Sequence, residues 1–192
     1  MKKVLIATQN KDKFNIVKKI LNSSDEGIYD CYSLRDMTTP VILSEEEGTV
    51  QNRAFNKAME TFKIVGKDQY EYIVGIDDGI EIRGEIIENV KDYINDILNN
   101  NYLKENEIIN IVRAYCFAIN DNEYYEITTK IPFKYIECKE KINIKANTYP
   151  LSNVMAPLYC DKSVVNLTEE ETNNYYLQYS KEKIEEVLND KK

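Results

Sequence analysis

The sequence predicts a single-domain α/β protein with a central β-sheet, and three observations support that fold class. The chain opens with an apolar run at 4–7, a polar loop and then apolar residues at helical spacing, which is a strand–loop–helix unit. Strand-like and helix-like segments continue to alternate after it. With 43% hydrophobic and 30% charged residues, the 192 residues suit one domain spanning 1–192, and no break in composition marks a boundary.

The spacing of apolar residues predicts five elements in the first half of the chain. A strand over 4–7 precedes a helix that begins at residue 12 and ends near 22–24. A second helix is expected from about 49 to 65, because apolar residues recur four apart on one face. The run at 72–76 predicts a buried strand, and the alternation at 80–83 predicts that the chain turns into another strand.

The second half of the chain alternates in the same way. Apolar residues among acidic and Asn residues predict a helix over 87–103. The segments 111–119 and 124–131 flank an Asn-Asp-Asn sequence, which predicts a β-hairpin. A short helix is expected over 152–158, and a terminal helix is expected over 169–188.

Composition excludes several classes of function. The 25 Lys and Arg residues face 33 Asp and Glu residues, and a net charge of −8 argues against binding nucleic acid. A small phosphate ligand stays compatible, because a metal ion and a few cations can reverse the sign locally. The absence of histidine removes Ser-His-Asp and Cys-His catalysis and His-containing zinc sites. Acid–base chemistry is left to carboxylates, Lys, Tyr or metal-bound water.

Nothing in the sequence predicts export or membrane insertion. The apolar run behind the two N-terminal lysines is too short for a signal peptide, and no stretch approaches a membrane span. The four cysteines are scattered without a Cys-x-x-Cys pair, and we expect them to be reduced thiols. The expected location is the cytoplasm, with no membrane partner.

The polar loop after the first strand is a candidate phosphate-binding site. A helix N-terminus presents unpaired N–H groups and the positive end of a dipole to an anion. Thr8 offers a hydroxyl, Gln9 and Asn10 lie beside it, and Lys13 offers a positive charge. The alternative is an ordinary strand–helix connection in which Asn10 caps the helix.

Two groups of acidic residues are candidates for a metal site. Asp77 and Asp78 follow a predicted buried strand, and ligands of α/β sheets collect at the carboxyl ends of strands. Adjacent carboxylates repel each other unless a cation intervenes, and oxygen ligands suit Mg²⁺. Glu45 and Glu46, before the second helix, are candidates for the same metal. The alternatives are a solvated Asp-Asp-Gly turn and acids that complement the helix dipole.

The second predicted helix carries a candidate set of phosphate contacts. Asn52 and Arg53 lie near its start, and Lys57 lies four residues after Arg53 on the same face. We expect Arg53 to hold phosphate oxygens together with Lys13. The alternative is a solvated helix face, which is the usual explanation of such charges.

Several of these segments form an ordered series of short motifs. Thr-x-Asn-x-x-Lys occupies 8–13, x-Asn-Arg-Ala-x-x-x-Ala occupies 51–58, and Val-Gly-Ile-Asp-Asp-Gly-Ile-Glu occupies 74–81. Ile131-Pro132 and Leu167-Thr168 continue the order. The series resembles the inosine triphosphate pyrophosphatase-like superfamily, and the motif at 51–58 resembles its inosine/xanthosine triphosphatase branch.

The resemblance implies an elongated, curved mixed β-sheet flanked by helices, with a central nucleotide cleft, usually in a homodimer. It implies hydrolysis of deaminated purine nucleoside triphosphates, those of inosine and xanthosine, with Mg²⁺ or alternatively Mn²⁺. In this family order, Thr8, Asn10 and Lys13 are expected to contact the triphosphate. The segment 85–110 has no counterpart and is expected to be an insertion.

The resemblance also leads to a mechanistic hypothesis with three catalytic residues, Asp77, Asp78 and Glu45. Asp77 and either Glu45 or Glu46 hold the metal ion, which neutralises charge on the leaving group. Asp78 activates a water molecule that attacks in line. The bond that is cleaved stays open. The alternatives are a nucleotide pyrophosphatase that releases pyrophosphate, and a binding module of the same fold without turnover.

Overall fold

The computed structural model describes residues 2–23, 29–38, 40–44, 47–66, 69–90, 93, 102–137, 149 and 151–189. Ten strands and helices lie in these residues: β1 (Lys2–Ala7), α1 (Lys11–Asn22), β2 (Tyr29–Ser33), α2 (Val50–Val65), β3 (Tyr72–Ile82), β4 (Glu85–Ile87), β5 (Ile108–Asn120), β6 (Glu123–Tyr135), β7 (Met155–Ala156) and α3 (Glu169–Asn189).

The described strands form one mixed sheet in the order β2-β1-β3-β5-β6-β7, with β4 paired to β3. β1 runs parallel to β2 and β3, whereas the pairs from β3 through β5 and β6 to β7 are antiparallel. The single α/β domain with a curved mixed sheet flanked by helices is thereby confirmed. None of the helices among the described residues is long and apolar enough to cross a membrane.

The two faces of the sheet carry side chains of different size. In β3 and β5 the large residues face one side and pack with α1 and α3 in the main core, which includes Tyr72, Ile76, Tyr115 and Phe117. The opposite face carries small residues such as Ala114 and Cys116, and α2 packs there. Because successive strand residues point to opposite faces, this alternation decides which helix each residue of β3 meets.

Gly75 is the point where α2 approaches the sheet most closely. A Cβ atom at this position would lie 1.9 Å from the carbonyl oxygen of Ala54 and 2.8 Å from the amide nitrogen of Ala58. Both atoms belong to the helix backbone, so no rotamer change can relieve the overlap.

We expect Gly75→Ala to lower the free energy of unfolding by about 3 kcal/mol, the upper end for overpacked cores. Urea denaturation followed by circular dichroism measures this. In the control Gly79→Ala, the new Cβ would lie 2.9 Å from Cγ1 of Val50 and 3.1 Å from the carbonyl oxygen of Ile87, so the overlap with backbone atoms is much smaller and a smaller loss is expected. Equal losses for both variants would contradict the argument.

Most predicted elements are confirmed. The three helices described at residues 11–22, 50–65 and 169–189 match the predicted ones within two residues at each end, and the predicted hairpin is β5 and β6. The caps explain the starts of the first two helices, since the side chains of Asn10 and Thr49 each accept a hydrogen bond from an amide in the first turn.

Two predictions about elements are wrong. The helix expected at 152–158 is absent, and a turn and the short strand β7 lie there instead. The strand predicted to end at residue 76 continues through Asp77 and Asp78 to Ile82, and both carboxylates are buried, so the solvated-turn alternative is wrong as well. The helix expected at 87–103 lies mostly outside the described residues.

The different lengths of β1 and β3 open a gap in the sheet. The β1 strand ends at Ala7, whose register partner in β3 is Gly75, while β3 continues for seven residues beyond that pair. Asp77 and Asp78 therefore lie beside the space that β1 leaves open. This is the carboxyl end of a parallel strand, where ligands of α/β sheets bind.

Candidate functional site

Two neighbouring cavities lie at the gap and share part of their lining. The larger, of about 630 Å³, is called the cleft here and is lined by residues of the first loop, by α2 and by Val41, Leu43 and Glu88. The smaller, of about 340 Å³, is called the inner pocket and lies between α1, α3 and the sheet. Four residues line both cavities: Asn10, Lys13, Asp78 and Tyr149.

The loop after β1 places Lys13 between the two carboxylates. The Asn10 side-chain oxygen accepts hydrogen bonds from the amides of Asp12 and Lys13, so the capping alternative is correct for this oxygen. The Thr8 hydroxyl accepts a hydrogen bond from the amide of Asn10 at 3.1 Å. With the helix start fixed in this way, Lys13 Nζ lies 3.2 Å from Asp77 and 3.3 Å from Asp78.

Asp77 faces α2, as expected from its place in β3. Its Oδ2 atom accepts a hydrogen bond from Arg53 Nε at 2.5 Å and lies 3.3 Å from Lys57 Nζ. Its Oδ1 atom accepts one from Lys13 Nζ at 3.2 Å. The two lysine contacts are longer than the usual charge-assisted hydrogen bond and longer than the contact with Arg53.

The guanidinium N–H groups of Arg53 donate their hydrogen bonds to other residues of the protein. Besides its bond to Asp77, Nη1 donates to the carbonyl oxygen of Gly48 at 2.7 Å, and Nη2 donates to that of Glu88 at 2.8 Å. The side chain is 5% exposed. Arg53 therefore ties three segments together around Asp77, and this fits a positioning role better than the expected contact with phosphate.

Asp78 points to the opposite face and forms a fork-to-fork ion pair with Arg113. The distances are 2.6 Å from Nε and 2.9 Å from Nη2 to the two carboxylate oxygens, and the residues are direct register partners in β3 and β5. The guanidinium lies over the ring of Tyr176, 4.5 Å from its centre. The remaining nitrogen, Nη1, is buried without a hydrogen-bond partner, which normally costs about 1–3 kcal/mol.

The ion pairs set the charge of the acidic residues. Burial raises the pKa of Asp78, but the charges of Arg113 and Lys13 outweigh it and hold this pKa well below its ordinary value. The pKa of Asp77 is lowered in the same way by Lys13, Lys57 and Arg53, against the effect of burial. Both carboxylates are therefore ionised at neutral pH.

Cations nevertheless outnumber carboxylates here. Around Asp77 and Asp78 lie four positively charged side chains, and the next carboxylate, Glu88, lies 3.6 Å from Arg53. The four cations are Lys13, Arg53, Lys57 and Arg113. Of these four, Lys13, Arg53 and Lys57 line the cleft, where they face Asp77, Asp78 and Glu88, so the described lining of the cleft carries balanced charge on a chain with a net charge of −8.

The structure brings most of the predicted site residues together. Beyond those described above, Gln9 lines the cleft together with Thr8. Asn52 is exposed on α2 and lines neither cavity. Glu45 and Glu46, the expected metal ligands before the second helix, lie outside the described residues.

Three residues of the site were not found from the sequence: Arg113, Tyr149 and Tyr176. For Arg113 there was a signal, because it is the one charged residue in the apolar run from Ile111 to Ile119. The two tyrosines had no signal that set them apart from the other thirteen.

The oxygen ligands that line the cleft can be compared with the needs of Mg²⁺, the ion that the resemblance implies. This ion is usually bound by one or two carboxylates together with substrate phosphates and water. Asp77 is a carboxylate that lines the cleft, and its two lysine contacts are the long ones, at 3.2 and 3.3 Å. Within the described part of the chain, no group of three or more potential ligands forms a preassembled metal site. The residues therefore fit an ion that arrives with phosphates.

Comparison with known proteins identifies the fold. No protein-family model and no curated protein matches the sequence. Among solved structures, the Ham1 protein of Staphylococcus aureus has a TM-score of 0.67 at 17% identity over 100% of both chains. The HAM1 protein of Coxiella burnetii has a TM-score of 0.67 at 14% identity, over 99% of this chain and 100% of that one.

A third structure adds a protein named for its activity. The nucleoside-triphosphatase, or dITP/XTP pyrophosphatase, of Mycobacterium abscessus has a TM-score of 0.53 at 17% identity, over 90% of each chain. At these identities the likeness shows the fold alone. This chain has the fold of the Ham1 proteins, which is the fold that its ordered motifs predicted.

Proposed function

We propose that this protein hydrolyses a phosphoanhydride bond of deaminated purine nucleoside triphosphates, and so removes inosine and xanthosine nucleotides from the nucleotide pool. One observation carries the proposal. Asp77 and Asp78 converge with lysine and arginine side chains at the carboxyl end of β1, beside a cleft of about 630 Å³ and a neighbouring pocket whose lining includes Tyr149 and Tyr176.

The cavities suggest how the substrate lies. The phosphates occupy the cleft, where Lys13 and Lys57 exchange their contacts with Asp77 for phosphate oxygens. The base occupies the inner pocket, between Tyr149 and Tyr176, because aromatic rings provide the stacking surface that a purine needs. Lys13, which lines both cavities, lies where the two parts of the nucleotide meet.

Chemistry at this site rests on positioning and charge. Phosphoryl transfer passes through a loose transition state, so a general base that removes a proton from the nucleophile contributes little to the rate. Asp77 would hold Mg²⁺ or Mn²⁺ together with phosphate oxygens, and the ion supplies neutralisation of developing charge when bound. Asp78 is a weak base because of its lowered pKa, so we assign it to holding Arg113 and Lys13 rather than to activating water.

The product and the assembly are also part of the proposal. The structurally similar protein of M. abscessus is named a dITP/XTP pyrophosphatase, and this name favours pyrophosphate and a nucleoside monophosphate as products. We further propose that the protein acts in the cytoplasm as a homodimer. Analytical ultracentrifugation of the purified protein tests the dimer.

The test of the proposed function is release of phosphate and of pyrophosphate from ITP, XTP, dITP, GTP and ATP, with Mg²⁺ and with EDTA. We expect metal-dependent release of pyrophosphate that prefers ITP or XTP. Binding without turnover would instead indicate a nucleotide-binding module. Neither binding nor turnover, in folded protein, would contradict the proposal.

Lys57→Met tests the assignment of the phosphates to the cleft. An ammonium group that contacts the substrate and the transition state equally contributes to KM and hardly to kcat. We therefore expect Lys57→Met to raise KM about tenfold with little change in kcat. The matched control is Lys63→Met, an exposed position on the same helix that lines neither cavity. An unchanged KM in Lys57→Met would place the phosphates elsewhere.

A further inference from the structure

The chain directly after β4 forms part of the wall of the cleft. Ile87, the last residue of β4, pairs with Ile80 of β3, and Glu88 and Val90 behind it line the cleft. Val90 is buried, so this stretch is packed against the rest of the protein. It belongs to the segment 85–110, for which the family resemblance offered no counterpart. The start of that segment therefore lies at the site and contributes side chains to it.

The carboxylate of Glu88 caps the start of α2. Its Oε2 atom accepts a hydrogen bond at 2.7 Å from the amide of Val50, the first residue of the helix. A carboxylate in this place satisfies one of the unpaired N–H groups of a helix start and faces the positive end of the helix dipole. The hydroxyl of Thr49 accepts the amide of Asn52 at 3.2 Å. Glu88 thus fixes the first turn of α2 against the chain that follows β4.

Gly79 leaves the space in which these two segments meet. A Cβ atom at this position would lie 2.9 Å from Cγ1 of Val50, 3.1 Å from the carbonyl oxygen of Ile87 and 3.7 Å from Cα of Glu88. Residues two apart in a strand point to the same face of the sheet, so Gly79 lies on the same face as Asp77. The contact between Glu88 and α2 is therefore built next to Asp77.

Arg53 connects this contact with Asp77. It lies in the first turn of α2, where its amide donates to the carbonyl oxygen of Thr49 at 2.9 Å. In its side chain, Nη2 donates to the carbonyl oxygen of Glu88 at 2.8 Å, and Nε donates to Asp77 at 2.5 Å. Nη1 lies 3.6 Å from the carboxylate of Glu88. Glu88 therefore holds both the helix turn that carries Arg53 and the guanidinium itself.

We propose that Glu88 is a positioning residue, which holds Arg53 so that its guanidinium keeps Asp77 in the place that the reaction needs. This inference rests on the proposed function, in which Asp77 holds the metal ion together with phosphate oxygens. Glu88 acts through Arg53 and needs no contact with the nucleotide. Its removal frees the first turn of α2, and a misplacement of about 1 Å at a reacting centre can cost about 10²-fold in rate.

The first test compares Glu88→Ala with Glu88→Gln in the release of pyrophosphate from ITP. In Glu88→Ala we expect kcat to fall about tenfold while KM stays within about twofold, because Lys13 and Lys57 keep their phosphate contacts. Glu88→Gln is expected to stay within about threefold of the wild-type kcat, because its amide oxygen still accepts the hydrogen bond from Val50. Rescue by the glutamine variant indicates that the hydrogen bond of the side chain is what matters.

The matched control is Glu171→Ala, which removes a cap of the same kind elsewhere. The Oε2 atom of Glu171 accepts a hydrogen bond from the amide of Thr168 before α3, also at 2.7 Å, and Glu171 lines neither cavity. This variant is expected to lower the denaturation midpoint about as much as Glu88→Ala and to keep the wild-type kcat. An equal fall of kcat in both variants would overturn the positioning role, because it would trace the effect to stability.

A second test needs no turnover. Arg53→Lys keeps the charge but loses the guanidinium donors, so it breaks the same contact from the other side. In urea denaturation, the losses from Glu88→Ala and Arg53→Lys are expected to be less than additive in the double variant. The losses from Glu171→Ala and Arg53→Lys are expected to add, because the two residues share no contact among the hydrogen bonds and ion pairs of the described residues.

The two tests separate failure of the inference from failure of the proposed function. A wild-type kcat in folded Glu88→Ala, or additive losses with Arg53→Lys, would overturn the role of Glu88, and turnover by the wild type would still support the proposed function. If the wild type released no pyrophosphate, the proposed function would fail. The denaturation data would then decide alone, with additive losses against the link from Glu88 to Arg53 and smaller losses in its favour.

Discussion

Asp78→Ala should lower the free energy of unfolding by about 3–5 kcal/mol, the cost of leaving a buried charge without its partner. Arg113 would lose both of its short contacts with a carboxylate and keep the ring of Tyr176 beside it. Its side chain is 3% exposed, so water cannot replace the carboxylate without opening the fold. Urea denaturation at pH 7 measures the change.

Two controls identify the ion pair as the cause. Asp121→Ala removes an exposed carboxylate in the β5–β6 turn and is expected to change stability by less than about 0.5 kcal/mol. The double variant Asp78→Ala with Arg113→Met removes both charges, and it is expected to recover part of the loss. A double variant less stable than the single one would contradict this explanation.

The free energy of unfolding that Asp78→Ala loses should also depend on pH. The pKa of Asp78 in the folded protein is lowered, so its stabilising contribution is fully present above its ordinary pKa of about 4. It is lost as the pH falls through the lower, folded pKa. The difference between wild type and Asp78→Ala is therefore expected to shrink when denaturation is measured at pH 3 or below, and a constant difference would exclude the pair as its source.

Asp77→Asn should reduce kcat/KM for ITP by about 10²–10³-fold, the effect of removing one preorganised electrostatic group from an active site. The amide keeps the shape of the side chain and an acceptor for Arg53. It removes the negative charge that binds a metal ion and that positions Lys13 and Lys57. Initial rates of pyrophosphate release with saturating Mg²⁺ measure the effect.

The matched control for this variant is Asp121→Asn, which makes the same chemical change at an exposed turn. It is expected to keep the wild-type rate. Denaturation midpoints of both variants separate loss of charge from loss of fold. A folded Asp77→Asn protein with wild-type turnover would remove Asp77 from the mechanism.

Local signals made much of the fold predictable from the sequence. The helices at 11–22 and 50–65 each combine an apolar stripe with a polar cap, and both signals lie within a few residues of each other. The strand β2, with the sequence Tyr-Asp-Cys-Tyr-Ser at 29–33, was not predicted, because tertiary contacts and pairing with β1 override its polar composition. The strand β7 at 155–156 was not predicted either, because two residues are too short to show a periodic pattern.

The site was predictable in composition but only partly in geometry. Asp77, Lys13 and Arg53 were found because each stands in a short motif. The choice between a turn and a strand at Asp77 and Asp78 depends on β5, whose partners lie 35 or more residues away. The pairing of Asp78 with Arg113 depends on the same register, which no local pattern encodes. For this reason the structure gives Asp78 and Arg53 positioning roles, whereas the sequence predicted water activation for Asp78 and a phosphate contact for Arg53.

The cross-strand pair of Asp78 and Arg113 also bears on how the chain selects its own fold. Slippage of β3 by one residue against β5 would turn every side chain of β3 to the other face. Asp78 would then face the small residues under α2, and the buried guanidinium of Arg113 would face Asp77 or Gly79 across the ladder. The slipped arrangement would also turn Ile76 and Ile80 toward α2, on the face where Gly75 and Gly79 now lie. The charge pair therefore opposes the slip that would place Gly79 opposite Arg113, whereas the slip that would place Asp77 there is opposed by the packing of the isoleucines, so the pair and the core together specify the alignment of the sheet.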